Sequence, residues 1–95
     1  MQIESIRHKA LRRFAETGVS KGLPPGSIDR LRNMLAYLAA VESEDELHVP
    51  PNFGAHPLTG DRKGTWALTV TRNWRMTFSV NTAPAIEDMD LEDCH

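Results

Sequence analysis

Two runs of alternating hydrophobic and polar residues dominate the second half of the chain. Between residues 65 and 71, Trp66, Leu68 and Val70 alternate with Thr65, Ala67, Thr69 and Thr71. Between 74 and 80, Trp74, Met76, Phe78 and Val80 alternate with Arg75, Thr77 and Ser79. Alternation of period two predicts strands with one buried and one wet face. Thr71-Arg72-Asn73 predicts a short hairpin turn between them, with asparagine taking the positive φ that tight hairpins use. This hairpin pairs Trp66 with Trp74 in the core and projects Arg75 from the wet face, with Arg72 at the tip. A guanidinium fixed on a rigid strand suits an anion such as phosphate.

The first half carries a different period. Residues 2–6 predict a short strand and 7–17 a helix, in which Ala10, Leu11, Phe14 and Ala15 gather on one side. Lys9, Arg12, Arg13 and Glu16 take the other side, and Gly18 follows as a C-cap. After Pro24-Pro25-Gly26-Ser27 comes a second helix over 25–42, with Ile28, Leu31, Leu35, Leu38 and Ala39 as its core stripe. Residues 43–52 predict a loop and 53–58 a short strand. Residues 81–84 break the chain before a final edge strand over 85–89. The predicted order is β-α-α-β-β-β-β, an α+β fold of two N-terminal helices on a mostly antiparallel sheet.

Composition narrows the class. Ninety-five residues with 40% hydrophobic content predict one domain over 1–95 with one core layer. No run of about 18 apolar residues exists to span a membrane, and Arg7, Lys9, Arg12 and Arg13 arrive too early for a secretory leader. The single cysteine, Cys94, leaves no internal disulfide and fits a reducing cytoplasm. His8, His48, His56 and His95 are scattered without metal-ligand spacing, so neither a metal nor another cofactor is expected.

Net charge is −2, which argues against a general nucleic-acid binder. The charges are nonetheless segregated. Seven of the eleven Lys and Arg residues fall in the first 32 positions, and Arg62, Lys63, Arg72 and Arg75 surround the hairpin. Acids gather at 42–46 and 87–93.

Gly60-Asp61, Gly64, Trp66, Asn73-Trp74-Arg75 and Thr77-Phe78, with Ser5-Ile6-Arg7-His8-Lys9 near the start, resemble the HigB branch of the RelE-like toxins. The terminal Glu92-Asp93-Cys94-His95 is similar to the Glu-Asp-Tyr-His with which relatives typically end. The resemblance covers nearly the whole chain and implies a RelE-like fold. It also implies ribosome-dependent, metal-independent cleavage of mRNA and neutralisation by a helix-turn-helix antitoxin.

By resemblance, Arg75 contacts the scissile phosphate and Asp93 with His95 handles protons. Lys63, Arg72 and Asn73 would hold the RNA, with Arg62 or Lys63 standing in for the cation that Thr59 does not supply. On residue chemistry alone, Arg75 reads as a strand arginine paired with a neighbouring carboxylate and Asn73 as a plain turn residue, and it is the resemblance that points Arg75 at phosphate. Two departures stand out. Relatives commonly read His-Pro-Leu-Lys-Gly where this chain has His56-Pro57-Leu58-Thr59-Gly60, and Cys94 replaces the terminal tyrosine. With the acidic total, these keep open a second reading, a toxin-fold protein of weakened catalysis that serves as an antitoxin-binding, co-regulatory module. A thiol enzyme using Cys94 is a third.

Overall fold

The computed structural model describes residues 1–94. Its elements are β1 (Gln2–Ile3), α1 (Lys9–Thr17), α2 (Ile28–Ala40), a 3-10 turn (Glu44–His48), β2 (His56–Pro57), a second 3-10 turn (Gly60–Arg62), β3 (Thr65–Thr69), β4 (Trp74–Val80) and β5 (Ala85–Asp93). The expected order of helices and strands is present. The five strands form one sheet in the order β1-β5-β4-β3-β2, antiparallel except where β1 runs parallel to β5.

Local chemistry sets the helix ends. His8 caps α1, its Nδ1 accepting from the Leu11 N–H at 3.1 Å. Gly18, at φ 80°, ends the helix and donates its N–H to the Phe14 carbonyl. Helix α2 starts at Ile28 rather than at Pro25. The Ser27 hydroxyl donates to the Pro24 carbonyl at 2.6 Å, holding the preceding residues in a turn. Leu11, Phe14, Leu31, Met34 and Leu38 then join Leu68, Met76, Phe78, Ile86, Met89 and Leu91 in one hydrophobic cluster.

Four further expectations are corrected. Strand β5 is not an edge: it runs to Asp93 and lies inside the sheet, between β1 and β4. Residues 43–52 are not all loop, because Glu46 accepts from the Ser43 N–H and the resulting 3-10 turn buries Leu47 completely. The hairpin turn contains no positive φ. The Trp74 N–H closes it on the Thr71 carbonyl at 3.4 Å, and the Thr71 hydroxyl accepts from the Asn73 N–H.

The tryptophans are also not partners. Trp66 stands opposite Phe78 and Trp74 opposite Asp93. The Trp66 indole donates to Glu44 at 2.7 Å and meets the edge of the His48 ring. Among the described residues, no helix is long and apolar enough to cross a membrane.

Candidate active site

The strand register builds the site. Thr69, Arg75 and Glu92 stand in one row across β3, β4 and β5, and His56, Ala67, Thr77 and Asp90 form the next row across β2 to β5. Directly opposed residues of an antiparallel pair project from the same face, as do residues two apart on one strand. Both rows therefore occupy the face opposite Leu68, Met76 and Phe78. This face is less wet than alternation predicts, with Ala67 at 1% and Thr77 at 2% exposure.

Glu92 is the hub. Its Oε1 accepts from Arg62 Nη1 at 2.7 Å and from Arg75 Nη2 at 3.2 Å, while its Oε2 accepts from Arg62 Nη2 at 2.6 Å and from the Thr77 hydroxyl at 2.6 Å. The Arg62 contact is a fork on a fork, the strongest geometry a guanidinium and a carboxylate can make. Arg62 hydrogen bonding, helped by Thr77 and Arg75 against the opposing effect of burial, lowers the Glu92 pKa to about 2. Glu92 is therefore a fixed negative charge at working pH and not a proton carrier. The same hydrogen bond raises the pKa of Arg62.

The Arg75 side chain is 33% exposed and holds Glu92 through Nη2 alone. Its Nε is buried and lacks a hydrogen-bond partner among the described residues. The arginine is thus tethered at one nitrogen while part of its surface stays open to a ligand. Arg62, Thr77, Asp90 and Glu92 also line a recess of about 100 Å³. A larger groove, about 890 Å³, is lined by residues of β1, α1 and α2 and includes none of Arg62, Arg75 or Glu92. Arg75 does not line the smaller recess, and the candidate site is the hydrogen-bonded cluster of Arg62, Arg75, Thr77 and Glu92 on this face of the sheet.

The expected site residues divide. Lys63 closes the turn that carries Arg62, and Arg72 and Asn73 lie exposed in the hairpin turn. None of these three side chains is drawn into the Glu92 cluster. Asp93 stands opposite Trp74, so alternation sets it on the other face of β5 from Glu92. Its neighbour Cys94 donates its N–H to the Asn73 carbonyl at 2.7 Å. His95 lies outside the described residues.

Sequence reasoning missed the role of Glu92 and the placement of His56. The His56 ring is exposed, with Nδ1 3.0 Å from the Gly54 carbonyl. A carbonyl only accepts, so Nδ1 carries the hydrogen, and in the neutral ring Nε2 is left with a free lone pair. Among the described residues, no group of three His, Cys, Asp or Glu side chains is arranged to hold a metal.

Two helices on one face of a mostly antiparallel sheet, with two arginines gathered around Glu92 on the other, match the fold of the small RelE-like toxins. The chain belongs to the HigB family within it, since the family model for the RelE-like toxin of type II toxin–antitoxin system HigB matches residues 4–93. It is also similar to the Endoribonuclease HigB of Proteus vulgaris, with 37% identity over 93 residues, 98% of this chain and 99% of that protein. Membership of a type II system implies an antitoxin partner.

Proposed function

We propose that this toxin is an endoribonuclease that cuts mRNA on the ribosome and that a helix-turn-helix antitoxin neutralises it in the cytoplasm. The observation that carries this reading is the partly open Arg75 guanidinium, tethered by one nitrogen on a central strand. In RNA cleavage the 2′-oxygen attacks the adjacent phosphorus, the 2′-proton leaves to a base, and the 5′-oxygen departs with a proton. The products are a cyclic phosphate and a 5′-hydroxyl. Negative charge builds on the non-bridging oxygens, where a preorganised guanidinium lowers the barrier.

Arg75 serves that role, with Lys63, Arg72 and Asn73 contacting the RNA backbone from the surrounding turns. By resemblance, proton transfer falls to Asp93 and His95, although alternation sets Asp93 on the face of β5 opposite Arg75 and Glu92. His56 is a further candidate on geometry, because it shares the sheet face of Arg75 and keeps Nε2 available. The deciding assay is cleavage of mRNA on programmed ribosomes by wild type and by Arg75→Ala, His56→Gln and His95→Gln variants. Wild-type cleavage that Arg75→Ala leaves intact would remove Arg75 from the mechanism.

A second reading is a weakened nuclease kept for antitoxin binding. Two features favour it: exposed Thr59 supplies no charge, and Glu92 already neutralises one of the two arginines gathered around it. It predicts antitoxin binding without cleavage in the same assay.

A further inference from the structure

Glu92 has no part in the chemistry above, yet it meets more of the site than any other side chain. We infer that Glu92, locked by Arg62 and Thr77, is a positioning residue that aims the Arg75 guanidinium at the RNA phosphate. The inference rests on the nuclease reading for its consequence but on geometry alone for the aiming.

The four hydrogen bonds to Glu92 are unequal, and the inequality gives the direction of control. Arg62 engages both carboxylate oxygens through both terminal nitrogens, and Thr77 adds a short bond to Oε2. These contacts come from the turn before β3 and from β4, and they fix Glu92 without any help from Arg75. Arg75 makes one longer contact, at 3.2 Å, to the carboxylate that Arg62 holds. Arg75 and Glu92 are direct cross-strand neighbours, so the tether acts over the shortest path the sheet offers. Arg62 is engaged with the carboxylate, whereas Arg75 keeps terminal donors for a substrate. Small misplacements of a catalytic group cost large factors in rate, so loosening Glu92 acts on turnover rather than on RNA capture.

Two measurements test this. The first is the ¹⁵N resonance and exchange rate of the Arg75 Nε–H in the isolated toxin. We expect Glu92→Gln and the milder Arg62→Lys to move both towards values for a free arginine, while amide spectra show the fold retained. Arg62→Lys keeps the test readable if Glu92→Gln fails to fold. The second is cleavage on programmed ribosomes. Glu92→Gln should lower kcat roughly 10-fold with KM within about 2-fold. In an Arg75→Lys background it should cause no further loss, because its effect runs through Arg75.

An unmoved Arg75 resonance, a kcat that is unchanged or raised, or losses that add in the Arg75→Lys background would each overturn the inference. If wild type cuts no RNA, the nuclease reading falls and the Arg75 resonance alone decides the positioning claim.

Discussion

Arg75 and Glu92 form one cross-strand pair, the first partly open and the second held by four hydrogen bonds. Arg75→Ala should abolish growth arrest, with cleavage on ribosomes falling by about 10² or more. Antitoxin affinity and melting temperature should stay near wild type, and Arg75→Lys should rescue poorly because lysine lacks the planar fork. Glu92 predicts a pH dependence of stability. Its carboxyl is held at about 2, below the value in an unfolded chain. The stabilisation is therefore complete above the unfolded value and is lost as pH falls through the folded one. The shift corresponds to about 3 kcal/mol at full value, which solvent screening at this partly open cluster reduces to about 1–2 kcal/mol. Urea midpoints between pH 5 and pH 2 should fall for wild type and fall less for Glu92→Gln. Thr59 and Cys94 are both exposed, so Thr59→Lys and Cys94→Tyr should change stability by only about 0.5 kcal/mol. Each should raise ribosomal cleavage, and the pair most, if a phosphate contact and a stacking surface are what the site lacks.

Elements were legible where a local signal existed. Gly18, the stripe of Leu31 and Leu38, and the alternation of Trp66, Leu68, Met76 and Phe78 located α1, α2, β3 and β4 from neighbours in sequence. Over residues 43–52 the acidic run and Pro50-Pro51 read as a loop, and the Ser43–Glu46 contact that starts the 3-10 turn is seen only in the structure. Three features had no local signal. The place of β5 inside the sheet depends on pairing with residues 2–3, more than 80 positions earlier. The Arg62–Glu92 fork joins residues 30 apart. His56 begins a strand of two residues, too short for alternation to show which face it takes. The 3-10 turn at Glu44–His48 earns a prediction because it buries Leu47 fully. Leu47→Ala should destabilise the protein by about 2–4 kcal/mol, read as a lower urea midpoint at unchanged m value.

Over the whole molecule, a net charge of −2 sits beside local basic surfaces on α1 and around the hairpin. Such a protein has little general pull on RNA, and on the ribosomal reading proposed above the ribosome supplies the surface that orients it. Cleavage should require programmed ribosomes and fall steeply with added salt, whereas free mRNA at physiological salt should survive. Rapid cutting of free mRNA would contradict this. The placement of β5 also bears on synthesis. Translation is vectorial, and β5 is the last strand of the sheet to be made although it lies between β1 and β4. A nascent chain halted near residue 84 holds β1 and the β2–β4 meander with no strand to join them, and it lacks Glu92. The arginine cluster around Glu92 thus comes into being late in elongation, and chains arrested there should be cut readily by protease where the released protein resists.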